Sequence, residues 1–154
     1  MPTYASSGLS DSKIPDAQAG WEKAFTTALA VMGGNNYIHH AAGMRESMLC
    51  MSYEQYIIDD EIIGMACKIL EGIAVDEEHM AYDAIKVVGP GGNYLISDHT
   101  LRFIRNEYFQ SNGVSDKTDR RDWESDGSLD ARERAKRIAK NILSAPEEPK
   151  IHHD

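Results

Sequence analysis

"GLSDSKIPDAQAG", residues 8–20, packs a small-residue turn, a Ser–Asp–Lys cluster, a proline and a helix start into one short stretch. What flanks it decides the fold. On its N-terminal side "PTYASSG" (Pro2–Gly8) mixes Thr and Tyr with small residues and reads as a short, weak strand. On its C-terminal side Pro15 and Asp16 mark a helix start, with Asp16 as N-cap. Trp21, Ala24, Phe25, Ala28, Leu29 and Met32 then recur at helical spacing as one apolar stripe, and Gly33–Gly34 stop the helix. "NYIHHAAG" (Asn36–Gly43) follows without a single acid, Lys or Arg. An uncharged run of this kind suits a strand covered on both faces, as in a parallel sheet. Strand, helix and strand make a βαβ unit.

The remainder reads as helices. Ser52 opens one, with Gln55 at the capping-box position, and apolar residues from Tyr56 through Ile63, Ala66, Ile69 and Leu70 predict a helix buried around much of its circumference. Gly72 closes it. Asp76 is the expected cap of the next helix, with Met80, Ala84, Ile85 and Val88 as its stripe and "GPGG" (Gly89–Gly92) as its stop. A further helix is expected over His99–Phe109. Residues 110–128 are polar and turn-rich, with Trp123 as the one large anchor. Residues 129–144 predict a surface helix capped by Ser128, with basic residues in its second half, where the helix dipole favours them. Residues 145–154 read as a loose tail.

The 154 residues fit one domain, 42% hydrophobic and 27% charged. A net charge of -9 argues against nucleic acid and anionic membranes as partners. Cys50 and Cys67 lack metal or redox spacing and are expected to be buried free thiols, which fits a reducing cytoplasm. The first ten residues have neither a basic nor an apolar segment of the signal-peptide kind, and no apolar run reaches membrane-spanning length.

The inventory is α/β: two parallel strands and about five helices. Two parallel strands do not make a free-standing sheet. They look like neighbours whose other partners lie elsewhere. The turn at Gly8 falls at the C-terminal end of its strand, where α/β folds place ligands.

The segments 8–47 ("GLSDSK…GMRES", with "IHHAAGMRES") and 51–103 ("MSYEQYIIDDEIIGMACKILEG…LISDHTLRF") together resemble the C-terminal part of the trimethylamine methyltransferase family. The resemblance covers residues 1–109 and, more loosely, the helix to 144. It implies the last βα units of a (β/α)8 barrel, with 110–128 as connector. It implies methyl transfer from a methylated amine to the cobalt of a corrinoid protein. The cobalamin would ride on that partner, with no cofactor bound directly. Trimethylamine-specific members carry pyrrolysine just before "(S/T)DSK"; Leu9 stands there in this chain. That departure places it with the branch resembling glycine betaine methyltransferases, whose quaternary amine is already activated as a leaving group. The chain is expected to need the missing N-terminal barrel portion or to form a homo-oligomer.

The resemblance puts "GLSDSK" and "IHHAAGMRES" at the barrel mouth. The substrate-binding candidates are therefore Leu9, Ser10, Asp11, His39, His40, Glu46 and Tyr53; no catalytic residue and no metal ligand is assigned. Aromatic faces and carboxylates are the groups that suit a quaternary ammonium. Each candidate has a plainer reading. Asp11 can cap its own turn, and Lys13 can be a solvated charge. Glu46 can simply be exposed, and Tyr53 and Glu54 can simply open a helix. Strand alternation lets at most one of His39 and His40 face the interior, which also disfavours a metal site. Met44, Met48 and Met51 default to gap filling, with a surface for the corrinoid partner as a second use. His152–His153 reads as a tail feature. Two non-enzymatic readings stand beside the enzyme: a catalytically incompetent barrel segment, and a helical module for interaction or subunit assembly.

Overall fold

The computed structural model describes residues 1–146; the tail reading, with His152 and His153, lies outside them. Strand β1 (Tyr4–Ser6) pairs in parallel with β2 (Tyr37–His39), in the register Tyr4↔Tyr37, Ala5↔Ile38, Ser6↔His39. Helix α1 (Ala17–Met32) connects them, so the expected βαβ unit is present. The Asp16 carboxylate caps α1 by accepting from the Ala19 amide at 3.0 Å, and Gly33 closes it.

Two further short strands, β3 (Met44–Arg45) and β4 (Cys50–Met51), pair antiparallel. They were not legible as strands, being only two residues each. Helix α2 (Tyr53–Glu71) follows, capped by Ser52. Its Gln55 side chain does not return to the cap. It donates to Asp59 at 2.8 Å, so only half of the expected capping box forms.

The next helix is shorter than its pattern. Asp76 accepts from the His79 amide but caps only a turn; α3 runs Tyr82–Val88 and starts from Ala81 in the left-handed region. A 3-10 turn (Tyr94–Ile96) leads into α4, which spans Asp98–Phe103 and not the expected 99–109. The connector contains α5 (Arg120–Ser125). Finally α6 (Ala131–Ser144) starts from Asp130, which forms a full capping box with Glu133; Ser128 sits at positive φ two residues earlier and does not cap.

The packing centres on α2, which contacts both α1 and α6. Ala135 and Ala139 of α6 are buried, as is Ala66 of α2. The connector docks on α2: the Asn112 amide donates to Glu61 at 2.9 Å, and its side chain donates to Asp60 at 3.0 Å. Arg134 donates to the Val114 carbonyl and Trp123 to the Leu129 carbonyl.

The apolar stripes point the other way. On α1 the buried residues are Ala19, Lys23 and Thr27, while Trp21 and Phe25 are 63% and 68% exposed. At 3.6 residues per turn the two sets lie on opposite sides of the helix. On α2 the fully buried side chains are Gln55 and Asp59; Ile69 and Leu70 are exposed, contrary to the expected burial around the helix. Met80 and Ile85 are exposed as well, and Cys67 is exposed and Cys50 only half-buried. Both thiols are free, but neither is a core thiol. The accessible surface is 11542 Å², against about 7,800 Å² for a self-contained protein of this mass. The outward stripes contribute to the excess: this is apolar surface that a fold normally covers.

Turn 76–80 is tied to the turn after α4 by His79, whose Nδ1 lies 2.8 Å from Asp76 and whose Nε2 lies 3.3 Å from Glu107. Hydrogen bonding to Asp76 holds the imidazole above its ordinary value. The tie is therefore fully present below pH 6.5 and lost as pH rises through the raised value. An NMR titration of the His79 ring should give a midpoint above 6.5; a midpoint at or below the ordinary value would show that the tie does not form.

Candidate active site at the ends of the parallel strands

Because β1 and β2 run in parallel, the loops that leave them emerge at one edge. Residues 7–16 and 40–49 meet there. The Ser47 hydroxyl donates to Asp11 Oδ1 at 2.5 Å, and the Ser47 amide donates to the Ser10 carbonyl at 3.3 Å. Arg45, buried, donates to the Lys13 carbonyl. The first loop is held from inside by Glu22 of α1. That carboxylate accepts from Ser10 Oγ at 2.7 Å, the Asp11 amide at 3.0 Å and Gln18 Nε2 at 2.9 Å. These donors, Ser10 first, pull its carboxyl below the usual range.

Beneath the loops lies a buried ion pair. Lys23 Nζ of α1 and Asp59 Oδ2 of α2 are 2.9 Å apart, with side chains 0% and 1% exposed. Lys23 also donates to the Gly8 carbonyl, and Asp59 accepts from the Gly43 amide at 2.7 Å. Burial pushes the Asp59 carboxyl up, against the pull of Lys23, Gln55 and Gly43.

The exposed face of the two strands carries rings. Tyr4 and Tyr37 stack with centroids 5.6 Å apart, and the Tyr4 hydroxyl lies 2.7 Å from His39 Nδ1. His40 has φ +62 and has left the strand, so alternation does not separate the two imidazoles. Their rings stack at 3.5 Å, and Ser6 Oγ lies 2.9 Å from His40 Nδ1. The strand alternation expected of His39 and His40 therefore does not hold between them. Among the described residues no group of three metal-ligating side chains occurs.

The family model described as Trimethylamine methyltransferase (MTTB) matches residues 1–154. The chain belongs to the trimethylamine methyltransferase family. A protein named glycine betaine methyltransferase from Desulfitobacterium hafniense (strain Y51) is 38% identical over 94% of this chain and 30% of its own length. Trimethylamine methyltransferase MttB from Methanosarcina thermophila is 38% identical over 100% of this chain and 32% of its own. The MttB of D. hafniense (strain DSM 10664 / DCB-2) is 37% identical over 93% and 28%. The chain spans about a third of the length of these methyltransferases.

Within this family segment the candidates sort by geometry. Asp11, His39, His40 and Glu46 lie on or beside the two loops. Asp11 does not cap its own turn: Glu22 holds its amide, and its carboxylate reaches across to Ser47. Ser10 is buried and holds the turn together. Leu9 lines a shallow groove with Trp21 and Phe25 of α1. Tyr53 is exposed at the first position of α2. Glu46, Ser47 and Met48 have φ of +52, +50 and +70, three successive non-glycine residues in the left-handed region. Each costs roughly 1–2 kcal/mol, and the Ser47–Asp11 bond is one of the contacts that holds them there. Tyr4, Glu22, Lys23, Tyr37, Ser47 and Asp59 were not singled out from sequence. The available signal was polar residues at buried helix positions: Lys23 falls on the side of α1 away from the exposed Trp21 and Phe25.

Proposed function

We propose that this chain forms the C-terminal βα units of a (β/α)8 barrel. Together with the rest of that fold it would take a methyl group from a betaine-like quaternary amine to the cobalt of a corrinoid protein. One observation carries the reading: the loops after β1 and β2 are clasped at one edge, beside a stacked aromatic and imidazole surface. Tyrosine faces attract a quaternary ammonium, and the Asp11 carboxylate adds an opposite charge. In the reaction the N–CH3 bond breaks with its electrons left on nitrogen, and the reduced cobalt supplies the pair for the new Co–C bond. A tertiary amine leaves without needing a proton. The chain's part is to hold the N–CH3 group in line and offset the cation. Leu9 has no electrophile to offer a neutral amine, which favours a quaternary donor. The outward stripes of α1 and α2 fit helices that pack against further barrel units.

The test is cobalt methylation, with glycine betaine, other betaines and trimethylamine compared as donors. A betaine is expected to react and trimethylamine to fail.

A further inference from the structure

We propose that the Lys23–Asp59 pair is a positioning device that fixes the two substrate loops by gripping the backbone at the glycine that opens each of them. The proposal rests on the reading of those loops as the substrate site. A buried ion pair is often no more stabilising than an apolar pair of equal volume, so its geometry is the informative part. Lys23 spends one donor on Asp59 and another on the Gly8 carbonyl. Asp59 spends its remaining capacity on Gln55 and on the Gly43 amide. Leu9, Ser10 and Asp11 follow Gly8 directly; Met44, Arg45, Glu46 and Ser47 follow Gly43.

Neither glycine has room for a side chain. Gly8 has φ +70, and a Cβ there would stand 2.5 Å from the Ala41 carbonyl oxygen of the other loop. Gly43 has φ +85, and its Cβ would stand 2.4 Å from the Tyr56 ring. The ion pair therefore sets the bases of both loops, and the Ser47–Asp11 bond joins them further out. Four elements meet at these two charges: the β1 loop, α1, the β2 loop and α2. Lys23 and Asp59 are positioning residues, acting through the backbone and not on the substrate.

Hydrogen exchange on the assembled protein tests this. The double variant Lys23→Met/Asp59→Leu removes the charges and keeps the volume. It should melt below the parent, because the buried Gly8 carbonyl and Gly43 amide lose their partners, but above Lys23→Met, and exchange the amides of Asp11, Arg45 and Ser47 at least about tenfold faster than the parent. In the methylation assay its donor KM should rise by about tenfold while kcat changes less. Parent-like loop exchange in a folded double variant would overturn the proposal. Should that variant not fold, the parent decides. The Gly43 amide should be as protected as the slowest amides of α1, and exchange as fast as Leu49 would overturn the proposal. A parent protein that methylates no cobalt would sink the substrate reading, while the exchange results would still decide the positioning claim.

Discussion

Replacing Lys23 by Met is expected to cost about 3–5 kcal/mol of stability, because it strands a buried carboxylate. Asp59 is 0% exposed and has no other cation within salt-bridge distance among the described residues. The loss should depend on pH with a definite sign. Burial already raises the Asp59 carboxyl, and removing the ammonium raises it further. A folded-state value above the unfolded one destabilises at high pH and is relieved as pH falls through it. The deficit of Lys23→Met relative to the parent should therefore be largest at neutral pH and shrink toward acid. Adding Asp59→Leu should recover part of it at neutral pH, the rest being the cost of the Gly8 carbonyl and Gly43 amide left without partners. Denaturant midpoints at several pH values measure both effects. A deficit that does not vary with pH would mean that Asp59 is not the group responsible.

The second large effect is expected at Gly8. Gly8→Ala places a methyl 2.5 Å from a backbone oxygen, which cannot rotate away as a side chain can. The left-handed φ adds about 1–2 kcal/mol, and displacing the other loop should bring the total above about 3 kcal/mol. Gly34→Ala is the control. It has φ +74 with nothing within 4 Å of the added carbon, so only the backbone cost of about 1–2 kcal/mol applies. Equal losses at the two positions would show that the loops are not pressed together as described.

The parts of this fold that sequence made legible were those with local causes. Asp16 and Ser52 cap their helices with side chains written beside the helix start, and Gly33 and Gly72 stop them. The βαβ order followed from an uncharged run on the far side of an amphipathic helix. The direction in which each helix faces was not legible. A stripe of Trp21, Phe25, Leu29 and Met32 ordinarily marks the inside, yet here it faces out. Periodicity identifies an apolar face but not the element that covers it, and in this chain α1 meets α2 through Lys23 and Asp59.

The same limit governed the site. Asp11, His39, His40 and Glu46 were visible because they stand in the two motifs, "GLSDSK" and "IHHAAGMRES", that carry the family resemblance. Tyr4 and Tyr37 were hidden inside strands read only for their propensity, and their stacking depends on the pairing register. The alternation rule failed at His40 because positive φ takes it out of the strand, and nothing in "IHHAAG" announces that. The left-handed run at Glu46, Ser47 and Met48 has no glycine to signal it. The ion pair joins residues 36 positions apart on two helices, beyond any local pattern.

Methyl transfer is what the account stands on. The assembled protein, a corrinoid protein reduced to the cob(I)alamin state and one amine donor are mixed, and formation of methylcobalamin is followed by its absorbance. The account predicts methylation with glycine betaine or another quaternary amine and none with trimethylamine. Methylation from trimethylamine alone, or no methylation with any of the amines, would contradict it.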